Sequence, residues 1–140
     1  MRIRLTQRCL DRITRRIRSL THRTVGQSLG QICYTLNPVI TGWVNYFALA
    51  DAKTYMRQLD GYMRRRLRQV MWKQWKTTAN RYRNLRTHGV SDFWARRVAG
   101  TSKGCWRLSA SPPLHQALDL TFWEQLGLKS FSQHYQLRHT

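Results

Sequence analysis

The chain has 140 residues, 25 basic side chains against six acidic ones, and a formal net charge of +19 at pH 7. The length suits a single domain, and six Trp, six Tyr and four Phe supply large apolar surfaces for its core. The longest apolar stretch, residues 39–50, is too short to cross a bilayer, which excludes a membrane-spanning chain. The three widely separated cysteines show neither zinc-ligand spacing nor a disulfide framework, which excludes a zinc module and a disulfide-stabilised scaffold.

The first predicted element is a helix that ends near Leu20. Its apolar residues recur at steps of three and four, which is one face of a helix: Leu10, Ile13, Ile17 and Leu20. Arginines lie mainly on the other side: Arg8, Arg12, Arg15 and Arg16. An Arg-rich amphipathic segment nearly free of acids is also typical of a mitochondrial presequence. We favour this alternative less, because the helix has a structural role in the predicted domain.

Two further helices are predicted before residue 50. Residues 24–27 read as a capping box that opens the first of them, with a core face at Val25, Leu29, Ile32, Cys33 and Leu36. Asn37 and Pro38 predict a restart, because Asn caps helices and Pro is tolerated at the first helical position. The helix that follows, to about Leu49, is apolar nearly all round and is expected to be the central buried element.

A long basic helix is predicted next, capped by Asp51 and running to about Thr77. Its core stripe comprises Leu59, Met63, Leu67 and Val70. Its other positions form two basic rows, one of Arg57, Arg64 and Arg68 and one of Arg65, Trp72 and Lys76. Asp60 is the only acid on this helix near enough to pair with the arginines, so we expect an external anion to offset their repulsion.

The rest of the chain predicts shorter helices. Residues 81–87 form a basic helix that stops near Gly89, and Ser91 caps another through Val98. Residues 100–113 are rich in Gly, Ser and Pro and predict a loop, followed by short helices at 114–120, 122–126 and 132–137. We therefore predict an all-α helical bundle over residues 1–99, with residues 100–140 as a small, loop-rich helical extension of the same domain.

The positive charge is unevenly placed and is mostly arginine. Residues 1–23 and 57–86 together carry +16 of the +19, and twenty of the 25 basic residues are Arg. A guanidinium is planar and permanently charged, and it can hold a phosphate through two parallel hydrogen bonds. This pattern favours binding to the phosphates of a nucleic acid, although charge alone identifies no particular ligand.

Several blocks of sequence resemble one known family. Residues 42–47 read Gly-Trp-Val-Asn-Tyr-Phe, which resembles the GWxNYF block of the group II intron maturase-specific domain, the thumb or X domain of group II intron reverse transcriptases. The resemblance continues, in the family's order, through residues 59–68, 72–76, 103–109 and 126–130. It therefore spans nearly the whole chain, and Cys105, just before Trp106, is not a residue that we expect the family to require.

The resemblance implies a thumb-like bundle that binds group II intron RNA, assists its folding and splicing, and grips the template beside the fingers and palm of a reverse transcriptase. The chain has no Tyr-x-Asp-Asp palm motif, and its six acids are scattered without a pair to hold two Mg²⁺ ions. We therefore expect no catalysis and no cofactor in this chain, with Mg²⁺ only in an associated palm. A full-length relative would be an RNA-directed DNA polymerase.

Two sets of candidate residues follow. The RNA-binding set is basic: Arg8, Arg12, Arg15, Arg16, Arg57, Arg64, Arg65, Arg68, Lys73, Lys76, Arg81 and Arg107. The core-motif set is aromatic apart from one amide: Trp43, Asn45, Tyr46, Phe47 and Trp106. Gly42 is expected to allow close helix packing, and Asn45 to satisfy a buried polar neighbour. Trp72 and Trp75 suit either base stacking or half-buried anchoring. No catalytic residue or metal ligand is assigned.

Three other interpretations remain open. A general nucleic-acid-binding protein would also be this basic and would bind DNA non-specifically, but no helix-turn-helix pattern supports it. A split partner of a separately made palm and a decayed mobile-element remnant share the same sequence features. We expect a cytoplasmic, bacterial protein with no membrane partner.

Overall fold

A computed structural model of the chain describes residues 6–22, 27–48, 52–101 and 104–138, and within these ranges it contains nine helices and no strand. The helices are α1 Gln7–Leu20, α2 Leu29–Tyr46, α3 Lys53–Trp75, α4 Thr78–Thr87, α5 Asp92–Ala99, α6 Cys105–Leu108, α7 Pro112–Ala117, α8 Leu120–Gln125 and α9 Phe131–Arg138. The predicted all-α bundle is confirmed. No described helix is both long and apolar enough to cross a bilayer.

The helix α1 follows its predicted pattern. The Thr6 hydroxyl accepts a hydrogen bond from the Cys9 backbone N–H over 3.3 Å and so caps the helix. Ile13 and Ile17 are buried against the bundle. The chain turns at Thr21, whose buried hydroxyl donates to the Ile17 carbonyl over 2.6 Å.

The helix α2 is continuous through Pro38, so the predicted break at Asn37–Pro38 is wrong. The Thr41 hydroxyl donates to the carbonyls of Asn37 and Pro38 at 3.2 Å each, which adds hydrogen bonds beside the proline. Asn37 does not cap a helix. Its amide donates to the Gly127 carbonyl over 2.8 Å, and its Oδ1 accepts from the Lys129 N–H over 2.9 Å. These contacts hold the segment before α9 on α2.

The start of α2 lies slightly later than predicted. Ser28 and Gln31 form a reciprocal capping box, in which the Gln31 N–H donates to the Ser28 hydroxyl over 3.3 Å. The box predicted at residues 24–27 falls largely outside the described residues.

The predicted helix end near Leu49 is wrong, since α2 ends at Tyr46. The predicted cap at Asp51 is also wrong, because the N-cap position of α3 belongs to Ala52, which makes no side-chain cap hydrogen bond.

The core stripe predicted on α3 is confirmed, since Leu59, Met63, Leu67 and Val70 are all buried. The helix ends at Trp75, two residues before the predicted end, because Lys76 has a φ of 55°. Asp60 is 2% exposed, and its carboxylate faces the start of α9. The α9 helix packs on both α2 and α3 and covers the core from that side.

The shorter helices complete the bundle. Gly89, with a φ of 91°, ends the turn between α4 and α5, a conformation that favours glycine. The loop predicted over residues 100–113 is partly wrong, because it contains α6 and the first residues of α7. Pro112 begins α7, where its missing N–H costs nothing. The helices predicted at 122–126 and 132–137 match α8 and α9 to within two residues, whereas the one predicted at 114–120 begins two residues and ends three residues after α7.

Candidate nucleic-acid interface

The arginine row of α1 is exposed along its whole length. Arg8, Arg12, Arg15 and Arg16 all point to solvent. Asp11 is the one acid in α1, and its carboxylate accepts a hydrogen bond from the Gln7 amide over 2.9 Å. The α1 row is therefore a strip of cations with little internal compensation, which is what phosphate binding requires.

The arginines of α3 behave differently, because several bind carbonyl oxygens inside the protein. Arg65 donates to the Trp106 carbonyl over 2.9 Å and to the Ser109 hydroxyl over 3.2 Å. Arg68, only 5% exposed, donates to the Ser109 carbonyl over 2.8 Å. Burial, with help from Arg64 and Arg65, lowers the pKa of Arg68 to about 10.

Arg66 makes the same kind of contact with α1. Its guanidinium donates to the carbonyls of Arg18 and Thr21, to the Thr21 hydroxyl and to the Gln69 side chain, at 3.2–3.3 Å. Burial lowers its pKa, although Tyr62 opposes the change. Nothing in the sequence pattern separates Arg66 from its neighbours.

These carbonyls share a position: they belong to the last turns of helices. The last four carbonyls of a helix lack partners within it, and the helix C-terminus is electronegative. Arg66 binds the end of α1, and Arg65 and Arg68 bind the end of α6. Arg81 donates to the Trp72 carbonyl, in the last turn of α3, over 3.2 Å. Backbone carbonyls of other helices therefore bind Arg65, Arg66 and Arg68, and these are partners that a search for acids along α3 does not reveal.

The other predicted basic residues lie on the surface or in clefts. Lys73, Lys76, Arg57 and Arg107 are exposed, and Arg64 is half-buried. Arg57 and Arg64 line a cavity between α3 and the α8–α9 segment. Lys103, which lies close to Trp106 and Arg107 in the sequence, is outside the described residues.

The aromatic block of α2 is divided between core and surface. Phe47 is 4% exposed, and Trp43 is half-buried, with ring centroids 4.7 Å from Phe47 and 5.9 Å from Phe131. Tyr46 is 64% exposed, so its predicted place in the core is wrong. It lies on an outer stripe of α2 with Tyr34, Pro38 and Gly42, one helical turn apart and not covered by the bundle.

Two smaller expectations about the same block also fail. A Cβ on Gly42 would meet no atom within 4 Å, so this glycine does not mediate close packing. The neighbour of the exposed Asn45 is not a buried group, because the Asn45 Oδ1 lies 3.0 Å from Nε2 of the half-buried His134 on α9. The amide therefore joins α2 to α9 at the surface.

Three tryptophans outside α2 also differ from expectation: Trp106, Trp72 and Trp75. Trp106 is 39% exposed, with the Arg65 guanidinium 3.8 Å above its ring, so it is a surface cation–π pair rather than a core residue. Trp72 and Trp75 are 1% and 8% exposed, which excludes base stacking on either in this conformation.

Two of the acids cap the starts of helices, and a third forms an ion pair. The Asp119 carboxylate accepts from the Phe122 N–H over 2.9 Å and caps α8, while Asp60 serves α9. Asp92 forms an ion pair with Arg96 over 3.0 Å. Among the described residues, no three His, Cys, Asp or Glu side chains are grouped closely enough to hold a metal ion.

Comparison with protein families finds one relevant match. Residues 10–89 match the family described as group II intron, maturase-specific domain. The matched span runs from α1 to the turn after α4 and contains most of both basic segments. The comparison with curated proteins finds no match.

Proposed function

Because the match over more than half of its length shows that the chain belongs to the group II intron maturase-specific domain family, we propose that it binds group II intron RNA and assists the folding of that RNA for splicing. The observation that carries this proposal is the exposed arginine row of α1: Arg8, Arg12, Arg15 and Arg16. It offers four guanidinium groups along about two helical turns, with Asp11 the only acid among them.

Recognition should depend on the RNA backbone and on RNA shape. The major groove of an A-form duplex is too deep and narrow for side chains to read, so proteins contact mainly phosphates and the 2′-hydroxyls of the shallow minor groove. Guanidinium groups on a rigid helix suit such contacts, because their bidentate geometry fixes the register of the phosphates. Tyr46 and Tyr34 are the exposed aromatic side chains of α2 available to unpaired bases.

The same proposal extends to a place within a larger enzyme. We expect the domain to act as a thumb that grips the template beside the fingers and palm of a reverse transcriptase, in a cytoplasmic, bacterial setting. The chemistry of DNA synthesis and its Mg²⁺ ions would belong to the palm. The domain itself would supply affinity and position, without a cofactor of its own.

The proposal is tested by removing charge from α1 and comparing a matched control. The triple variant R8Q/R12Q/R16Q removes three exposed arginines of the α1 row, and R83Q/R97Q/R138Q removes three exposed arginines from α4, α5 and α9. The α1 variant should bind intron RNA more weakly than wild type. The slope of log affinity against log salt concentration should become shallower by about two to three, roughly one for each phosphate that the variant no longer neutralises. Equal reductions of affinity in the two variants would contradict the assignment of the α1 row.

A further inference from the structure

Two cavities meet at Arg64, between α3 and the C-terminal helices. The first, of about 220 Å³, is lined by Arg57, Arg64, Trp123, Lys129 and Ser132, among others. The second, of about 380 Å³, is lined by Arg64, Arg65, Arg68 and His115, with Trp123 again in its wall. Arg64 and Trp123 therefore belong to both, and we refer to the pair of cavities as the Arg64 cleft.

Two residues that line this cleft, Trp123 and Ser132, each carry a buried polar atom that lacks a partner. The indole Nε1 of Trp123, a residue that is 3% exposed, has no hydrogen-bond acceptor among the described residues. The Ser132 hydroxyl is also buried and unpaired there. Leaving such groups without a partner costs free energy, so each requires an explanation. A ligand that accepts hydrogen bonds would explain both.

The charges around the cleft favour an anion as that ligand. Arg64, Arg65 and Arg68 line one cavity together, and the first has no hydrogen-bond partner among the described residues. Lining cations outnumber lining acids in both cavities: three (Arg57, Arg64, Lys129) to two (Asp60, Glu124) in the first, and three (Arg64, Arg65, Arg68) to one (Asp119) in the second. Glu124 lines the first cavity but is exposed to water.

The lowered pKa of His115 agrees with an excess of positive charge in the cleft. Its Nε2 lies 3.4 Å from a guanidinium nitrogen of Arg68. Burial lowers the pKa of His115, and Arg68, Arg64 and Arg65 lower it further. Asp119 is the acid of the same cavity wall. An anion in the cleft would reverse this effect and favour protonated His115.

We propose that the Arg64 cleft binds one phosphate group of the RNA backbone, with Arg64 as the cationic partner and Trp123 and Ser132 as neutral donors. This inference rests on the proposed RNA-binding function and adds a defined, partly enclosed site to the open strip of α1. Arg57 and Lys129 lie at the same cavity and would meet the neighbouring phosphates. Such a site would fix the register of the strand, whereas the α1 row supplies general affinity.

The first test uses inorganic phosphate as the probe at constant ionic strength, with chloride as the balancing anion. Phosphate should raise the melting temperature of the wild-type chain and of the control R83Q, and this shift should be lost in R64Q. The variant W123F keeps the aromatic character and removes the unpaired N–H. Its stability without phosphate reflects two opposed effects, the removal of an unpaired N–H and the cavity left by the smaller ring. The deciding readout is therefore its phosphate shift, which should be smaller than that of wild type. Equal phosphate shifts in all four proteins would overturn the site.

The second test assigns the phosphate to RNA. In R64Q the slope of log RNA affinity against log salt concentration should become shallower by about one, while R83Q should leave that slope unchanged. Loss of the phosphate shift in R64Q with an unchanged RNA slope would overturn the assignment to the RNA backbone. A slope change that is equal for intron RNA and unrelated RNA would support the site while contradicting the intron-specific function.

Discussion

The carboxylate of Asp60, in the first half of α3, accepts a hydrogen bond from the backbone N–H of Phe131 at the start of α9 over 2.7 Å. The same carboxylate accepts from the Ser130 hydroxyl and the Ser132 N–H at 2.7 and 3.0 Å. A buried side chain of one helix therefore caps another that begins 71 positions later, and its negative charge suits the positive end of the α9 dipole.

The Asp60 contact predicts a large loss of stability on a minimal change. D60N replaces one carboxylate oxygen with an amide nitrogen that cannot accept hydrogen bonds, leaving buried donors of α9 without a partner. The free energy of unfolding should fall by about 2–3 kcal/mol, measured by urea denaturation. The control D11N removes an exposed acid of α1 and should change it by less than about 0.5 kcal/mol. Equal effects in the two variants would contradict the cap.

Substituting an arginine that binds a helix end should affect mainly stability, whereas substituting one that faces solvent should affect mainly RNA binding. R66Q removes the hydrogen bonds to the Arg18 and Thr21 carbonyls and should lower the free energy of unfolding by about 1–3 kcal/mol. R16Q removes an exposed arginine with the same loss of charge and should leave stability within about 0.5 kcal/mol. RNA titrations with the same two proteins should show the greater loss of affinity in R16Q. A stable R66Q protein would show that its carbonyl contacts contribute little.

The aromatic block of α2 should likewise divide into two kinds of residue. W43A removes a half-buried ring that packs on Phe47 and Phe131, so we expect a loss of about 2–3 kcal/mol, below the roughly 3–5 kcal/mol of a fully buried Trp. Y46A removes a ring that is 64% exposed and should change stability by less than about 1 kcal/mol. Thermal unfolding of both variants checks this order, and the reverse order would contradict it.

Cys9 and Cys33 should differ in their reactivity towards a thiol reagent. The Thr6 hydroxyl donates to the Cys9 thiol, and this bond, with smaller effects of Arg12 and Arg8, lowers the pKa of Cys9. Burial raises the pKa of Cys33 to about 11. Iodoacetamide at pH 8 should therefore modify Cys9 in the native chain and leave Cys33 unmodified, as measured by peptide mass mapping.

Bound RNA should slow the modification of Cys9, because this residue lies between Arg8 and Arg12 in the α1 sequence. Thiol modification at matched salt, with and without RNA, measures this protection. Unchanged modification of Cys9 under saturating RNA would place the bound strand away from the start of α1.

His115 predicts how stability depends on pH. Its pKa is lower in the folded chain than the usual 6.5, so the unfolded chain binds the proton more readily. The contribution of His115 should therefore be absent at pH 8 and become destabilising as pH falls through about 6.5. H115Q should reduce the loss of unfolding free energy between pH 8 and pH 5. If H115Q and wild type lose the same amount, His115 does not titrate as the structure indicates.

The sequence predicts the regular elements better than their partners. The 3.6-residue period of Ile13 and Ile17, or of Leu59 and Met63, is a local pattern that the buried face preserves. Pro38 misleads because the contacts of Thr41 and the docking of α9 support a helix that local rules would end. Short helices inside a Gly- and Ser-rich segment, such as α6, depend on similar distant contacts.

The site is harder to predict for the same reason. The acceptors of Arg65, Arg66 and Arg68 are carbonyls 41–48 positions away, which no i,i+4 rule can reveal. Tyr46 is exposed because no described helix covers its stripe of α2, although its sequence neighbours are apolar. The α1 row could be predicted, since its arginines fall opposite a clear apolar face. Which α3 arginines remain available to a ligand could not.

The most direct test of the RNA-binding account is competition at two salt concentrations. Labelled, folded group II intron RNA would be bound to the chain and challenged with unlabelled duplex DNA and with a size-matched, unrelated folded RNA. The account predicts that the intron RNA is retained against both competitors as salt rises, since contacts set by shape survive screening better than long-range attraction. Equal displacement by all competitors, with binding that collapses at the higher salt, would contradict it and leave a basic domain without intron specificity.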